Sequence, residues 1–125
     1  MIHSEAALQA LVGRYVAIWN EPDSERRRAA VAALWTEDAT QFMPSRDVHG
    51  HEQLFERVTA SYDRWVAEEG CVFRSVGNGN GHHDCLRFNW EMLPAAGGEV
   101  VSVGFQFLIL GDDGRIRLDY QFIDR

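Results

Sequence analysis

The chain has 125 residues, 46% of them hydrophobic and 25% charged, which suits one domain over residues 1–125 and excludes disordered, collagen-like and coiled-coil classes. Twelve basic residues against nineteen acidic ones give a net charge of −7, so the basic stripe that nucleic acid or an anionic membrane surface demands is missing. Every basic residue is arginine; with no lysine, Schiff-base catalysis and a phosphate-loop lysine are excluded.

No apolar run reaches the ~18 residues of a membrane helix. The start, Met1-Ile2-His3-Ser4-Glu5, has no basic region followed by an apolar stretch, so the expected location is cytoplasmic. Cys71 and Cys85 make neither a disulfide scaffold nor a metal site, and the histidines at 3, 49, 51, 82 and 83 lack zinc-type spacing. No metal and no cofactor are expected.

In chain order, Leu8, Leu11, Val12, Tyr15, Val16 and Trp19 recur at steps of three and four, which predicts a first helix capped by Ser4 and ended before Pro22. Asp23 or Ser24 caps a second, with Val31, Leu34 and Trp35 on its inner face; its Arg26-Arg27-Arg28 run reads as a solvated face. A short strand-like piece from Ala39 to Val48 leads through Gly50 into a third helix. Its stripe is Leu54, Val58, Ser61 or Tyr62, Trp65 and Val66, and it stops before Gly70.

From Cys71 the period changes to two, predicting strands near 71–77, 84–93, 99–110 and 115–123. Turns fall at Gly77 to Gly81, Pro94 to Gly98 and Gly111 to Gly114. The glycine cluster precedes a strand, whereas a dinucleotide site needs a helix there. The expected class is α+β: three N-terminal helices on one face of a curved antiparallel sheet.

Closing the last hairpin around Asp112-Asp113 places Gln106 opposite Asp119 and Gly104 opposite Gln121, on one face. Closing the previous one around Ala96 adds Leu86, Phe88 and Trp90 to it. The other face carries Val103, Phe105, Phe107 and Ile109 beside Leu118, Tyr120 and Phe122. A slip of one residue reverses every assignment.

The words Arg14-Tyr15-Val16-Ala17-Ile18-Trp19-Asn20, Leu34-Trp35-Thr36-Glu37-Asp38-Ala39-Thr40, Val48-His49-Gly50-His51, Asp113-Gly114-Arg115-Ile116 and Phe122-Ile123-Asp124 occur in that order. With the element order, over nearly the whole chain, they resemble the nuclear transport factor 2-like (cystatin-like) superfamily, in its SnoaL-like and ketosteroid isomerase-like branches. The resemblance implies a cone whose helices and concave sheet enclose one pocket, commonly for a steroid-, terpene- or polyketide-like molecule. Trp19, Trp35, Phe88 and Trp90 are candidates for its wall, although plain core packing is the commoner role for any one of them.

In ketosteroid isomerase-like proteins a first-helix tyrosine binds the substrate oxygen, and the matching position here is Tyr15. The second donor, a protonated aspartic acid, falls on Gln106, which donates without a carboxyl's tuned acidity. The general base falls on Met43, before Pro44, and a thioether takes no proton at neutral pH. Epoxide hydrolase-like proteins, also similar to this chain, hold water between carboxylates that here become Asn89, in Arg87-Phe88-Asn89, and Gln121; an amide orients water but does not deprotonate it. The register also turns Arg87 away from the pocket.

Acid–base work relocated within the chain falls to Asp119, beside Gln106 on the pocket face, paired with His49; Asp47 and His51 lie near the entry to the third helix. Tyr15, Asp119 and His49 are thus the catalytic candidates. The ligand-binding candidates are Tyr15, Trp19, Trp35, Met43, Phe88, Trp90, Gln106 and Gln121. The outward row Phe105, Phe107, Ile109, Tyr120 and Phe122 needs a cover, and a two-fold homodimer through the sheet supplies one. Three functions fit: a binder of a small lipophilic molecule, an isomerase-, cyclase-, dehydratase- or epoxide hydrolase-like enzyme on such a molecule, and a protein–protein module.

Overall fold

The computed structural model describes residues 4–125; His3 and the rest of the start lie outside them. Helix α1 (Glu5–Ile18) is capped by Ser4, whose Oγ accepts from the Ala7 amide at 3.0 Å. Asp23 caps α2 (Ser24–Leu34) by accepting from the Arg26 amide at 2.8 Å. Helix α3 (Gly50–Ser61) begins at a glycine with φ +77° and runs on as a π-helical stretch, Tyr62–Glu68, before Gly70 at φ +71°. No helix of the described residues is long and apolar enough to cross a membrane.

The strands are β1 (Trp35–Phe42), β2 (Asp47–His49), β3 (Cys71–Ser75), β4 (Asn80–His82), β5 (Cys85–Pro94), β6 (Ser102–Leu110) and β7 (Ile116–Ile123). They form one curved sheet in the order β2-β1-β7-β6-β5-β3, with β4 paired to β5. The expected α+β class, with three helices on the sheet, is the observed one. The sheet is mixed rather than wholly antiparallel, because β1 pairs with β7 in parallel. β1 lies outside the C-terminal meander, and that non-local pairing leaves no mark in local periodicity.

Three further expectations are corrected. Trp35 does not sit on α2: the helix stops at Leu34 and Trp35 opens β1 without a loop. The glycine-rich stretch holds the start of β4, and the tight turn follows at His83, whose φ is +53°. Arg27 is buried, not solvated: its Nε donates to Thr59 Oγ1 at 3.1 Å, its Nη1 to the Glu21 carbonyl at 2.6 Å, and it lies over the Tyr62 ring.

Both hairpin registers are displaced by two residues from the turn-centred expectation: Gln106 lies opposite Gln121 and Phe88, and Asp119 opposite Leu108. An irregularity between Ile109 and Leu110 shifts the last hairpin. A displacement of two preserves every face. Leu86, Phe88, Trp90, Gly104, Gln106, Leu108, Asp119 and Gln121 are buried under the helices, and Val103, Phe105, Phe107, Ile109, Leu118 and Tyr120 lie half-buried outside.

Asn20, just past α1, fastens the helix layer to the sheet edge. Its Oδ1 accepts from the Phe73 amide at 2.9 Å and its Nδ2 donates to the Phe73 carbonyl at 2.7 Å, so one side chain occupies an edge-strand bonding pair of β3.

Candidate functional site

Two rows of side chains cross the concave face. Gln41 of β1, Asp119 of β7, Leu108 of β6 and Leu86 of β5 lie side by side in the first; Gln121, Gln106 and Phe88 form the second. The amides and the carboxylate are thus gathered at one place by strand pairing alone. Tyr15 comes down on them from α1, its ring edge-on to Trp35 (5.6 Å between centroids) and Phe88 (5.3 Å).

The result is a buried network. Tyr15 Oη donates to Asp119 Oδ2 at 2.7 Å. Gln106 Nε2 donates to Asp119 Oδ1 at 2.6 Å and to the Tyr15 oxygen at 2.8 Å. Gln41 Nε2 reaches the same phenol oxygen at 3.2 Å and Asp119 Oδ2 at 3.3 Å. Behind Gln106, its Oε1 accepts from Trp90 Nε1 at 2.9 Å and from Gln121 Nε2 at 3.1 Å, and Gln121 Oε1 accepts from Arg57 Nη2 at 3.3 Å. The donors run in one direction, from the Arg57 cation through two amides to the Asp119 carboxylate.

Burial sets the electrostatics. Removal from water raises the Asp119 carboxyl to about 6, against the opposing hydrogen bonds from Tyr15 and Gln106. Burial, and then the Asp119 charge, push the Tyr15 phenol well above its ordinary value, so it stays protonated. Burial lowers the Arg57 guanidinium, while Tyr15 and Asp119 act the other way. While Asp119 is ionised the phenol hydrogen points to it. Once Asp119 holds a proton it can donate to the phenol oxygen and release the phenol hydrogen to another acceptor.

Beside the network a cavity of about 80 Å³ opens between α1, α3 and the sheet. Trp19, Phe73 and Trp90 give it aromatic walls; Tyr15, Gln106, Gln121 and Arg57 also border it, their polar atoms engaged mostly with one another and the cavity's own surface almost wholly apolar. Ile123, about half exposed, lines it too, so it reaches the surface at the end of β7. Its volume lies well below the ~300 Å³ where drug-sized pockets begin. As it stands it admits a compact group rather than a fused-ring skeleton. Trp90 can form a wall because its indole lies across Gly104, its β6 partner, where a Cβ would clash with the ring.

Of the expected ligand-binding residues, Tyr15, Trp19, Trp90, Gln106 and Gln121 line this cavity. Trp35 and Phe88 are fully buried in the core around the Tyr15 ring. Met43 is half-buried behind Arg57, whose Nε points at its sulfur at 3.1 Å. Asp119 lies beneath the network, wholly buried, and touches Tyr15 rather than the cavity.

His49 is not brought to Asp119. It pairs with Thr40, which pairs with Leu118, on the outer side of the sheet, and its exposed ring bonds Thr40 Oγ1 at 3.0 Å and Asp47 at 3.1 Å. His51 Nε2 lies 2.8 Å from the Trp35 carbonyl at the start of α3. Arg87 faces out, as expected, and donates to Asn80 at 3.1 Å; Asn89 pairs with Phe105 on the same outer side. His82 and His83 are exposed at the β4–β5 turn, and among the described residues no group of three or more potential metal ligands forms.

Sequence reasoning missed Arg57, Ser61 and Phe73. A signal for Arg57 was present: it stands three residues after Leu54 and four before Ser61, inside the apolar stripe of α3.

Comparison with known proteins agrees with this architecture. The SnoaL-like domain model matches residues 12–118. No curated protein matches the sequence. Among solved structures, an isomerase candidate of the SnoaL-like family from Agrobacterium tumefaciens is 28% identical, with a TM-score of 0.85 over 94% of this chain and 97% of that one. A SnoaL-like protein of unknown function from Burkholderia thailandensis is 14% identical with a TM-score of 0.74, covering 99% and 100% of the two chains. A polyketide cyclase candidate from Sinorhizobium meliloti is 14% identical with a TM-score of 0.69, covering 96% and 100%; at that identity the likeness is one of fold. With the family model spanning most of the chain and the helix-on-sheet fold in place, the chain belongs to the SnoaL-like family.

Proposed function

We propose that the chain binds a small, largely apolar molecule in the cavity between α1, α3 and the sheet, with the oxygen-bearing end of the ligand toward Tyr15, Gln106 and Gln121. The observation that carries this reading is the convergence of aromatic walls and buried polar groups on one opening. The positions at which the resembled enzymes hold carboxylates read here as Met43, Gln106, Asn89 and Gln121, which favours binding over their chemistry. Because the closed cavity is small, the ligand enters by its head, with any larger skeleton extending past Ile123.

A second reading is proton-transfer catalysis on such a ligand, favoured by the buried Tyr15–Asp119 pair and by the isomerase candidate among the structural neighbours. In it the phenol polarises a substrate carbonyl while Asp119 adjusts the phenol's proton. One experiment addresses both. Lipophilic carbonyl compounds are screened for thermal stabilisation and for turnover. The binding reading expects hits whose stabilisation, roughly 2.7 kcal/mol at a hundredfold excess over Kd, is lost in Tyr15→Phe/Gln106→Leu; unchanged stabilisation contradicts it. The catalytic reading further expects turnover that Asp119→Asn abolishes, and a wild-type rate in that variant removes it.

The outer sheet face is read as the homodimer interface. Phe105, Phe107, Ile109 and Tyr120 are only half-buried on it, Phe122 is 52% exposed, and Phe42 stacks on Tyr120 at 4.8 Å to extend the row. A second copy would remove this patch from water. Sedimentation of the wild type is expected to give a dimer that Phe107→Glu/Phe122→Glu turns into a monomer; a wild-type monomer at micromolar concentration contradicts the interface.

A further inference from the structure

Two arginines are withdrawn from water in this fold, and they differ in how their donors are used. Arg27 is satisfied: Thr59 Oγ1 and the Glu21 carbonyl take its hydrogen bonds, and an aromatic ring covers it. Arg57 is not. Its Nη2 reaches Gln121 Oε1 only at 3.3 Å, its Nε meets the thioether of Met43, a weak acceptor, and its face rests 5.0 Å from the centre of the Trp19 ring. Among the described residues no carboxylate lies within ion-pair distance of it. Asp119, its nearest balancing charge in the network, is two amides away.

A cation half-withdrawn from water without an anion is costly, and a leucine or methionine at this point of the α3 stripe would pack without that cost. The charge therefore has a use outside the fold's own packing. Arg57 is also the one residue that lines both the inner cavity and a groove on the outer surface between Arg46 and Glu56. In that groove Asp47 and Glu56 offset Arg46, whereas no acidic residue lines the cavity on the inner side of Arg57. An unmet donor lies alongside: Trp19, a cavity-wall residue, has a buried indole N–H without a partner among the described residues.

We propose that the cavity selects a small carboxylic acid in its anionic form, its compact apolar group seated against Trp19, Phe73 and Trp90 and its carboxylate turned to the Gln121 end of the polar row, paired with the Arg57 guanidinium. This rests on the reading of the cavity as a ligand site and names the class of ligand. A guanidinium matches a carboxylate with two parallel N–H···O bonds, which a single amide acceptor such as Gln121 does not use. Size sets the apolar part. The cavity is about half the roughly 150 Å³ at which an apolar cavity takes up benzene, so short aliphatic acids fit it and an aromatic acid must widen it.

The test is a calorimetric or NMR titration of the intact protein with butyrate, isovalerate and benzoate, each beside its neutral primary amide. The expected result is that short carboxylates bind about tenfold or more tightly than their amides, as charge-assisted hydrogen bonds imply. That preference should vanish in Arg57→Met and persist in part in Arg57→Lys. Amides that bind as well as acids, or a preference that survives Arg57→Met, overturn the anion assignment and leave the cavity reading standing. No binding of either set at millimolar concentration overturns the carboxylate assignment, and the cavity reading is then decided by the screen of lipophilic carbonyl compounds. The acid–amide comparison needs only the wild type, so a variant that fails to fold does not remove the test.

Discussion

Replacing Gly104 with valine should destabilise the protein by about 3 kcal/mol or more and remove one wall of the cavity, the scale set by overpacking and by loss of a buried tryptophan. A Cβ at this position clashes with the Trp90 indole, overlapping Cζ2 and Cε2 and lying 2.7 Å from Nε1. The obstacle is a rigid ring in a packed layer, not the free end of a flexible chain, so relief requires Trp90 to swing away. That breaks its hydrogen bond to Gln106 and removes a cavity wall in one step. Gln106 then loses a restraint on the orientation in which its Nε2 faces Tyr15 and Asp119. Urea denaturation measures the cost; a change under about 1 kcal/mol, the scale of an ordinary surface substitution, would mean that Trp90 is not held across the glycine.

The second large effect is a dependence of stability on pH that runs against the usual behaviour of carboxylates. In the unfolded chain the Asp119 carboxyl titrates near about 4; in the fold, burial raises it to about 6. Between these values the folded state keeps a proton that the unfolded state has released. The associated stabilisation is therefore complete below about pH 4 and is lost as pH rises through about 6, an effect of roughly 3 kcal/mol from the size of the shift. Asp119→Asn removes the titration while keeping the shape. The asparagine oxygen can still accept from Tyr15, but its amide nitrogen then faces the Gln106 donor at the Oδ1 position, so the variant is also weaker throughout. Denaturation of both proteins between pH 4 and 8 should give curves that converge toward high pH, with the wild type losing its extra margin on the way. Parallel curves would mean that Asp119 titrates alike in both states.

The faces of the sheet were legible where its registers were not. Turn-centred pairing placed Gln106 against Asp119, two residues from its true partner Gln121: the turn centres on Asp113 rather than between Asp112 and Asp113, and the irregularity near Leu110, which leaves no compositional trace, adds one residue more. Since side chains alternate with a period of two, that error kept Gln106, Asp119 and Gln121 together beneath Tyr15. The His49–Asp119 pairing failed for a different reason. It depended on how β1 meets β7, a parallel contact between distant segments, and this contact puts His49 with Thr40 and Leu118 on the far side. Trp35 was misplaced because Val31, Leu34 and Trp35 keep helical spacing, so the pattern ran on past the true end of α2. Arg57 was hidden by chemistry: an arginine on a helix reads as solvated, and only its stripe position hints otherwise. The cavity's size was beyond sequence, because it depends on where two indoles and a guanidinium come to rest.

The account turns on a carboxylate kept dry under the first-helix phenol, and carbon-13 NMR of the Asp119 side chain, followed from pH 3 to pH 8, reads that state directly. The expected midpoint is about 6. A midpoint near about 4, the ordinary value for an aspartate in water, would contradict a carboxyl whose burial outweighs the hydrogen bonds it accepts.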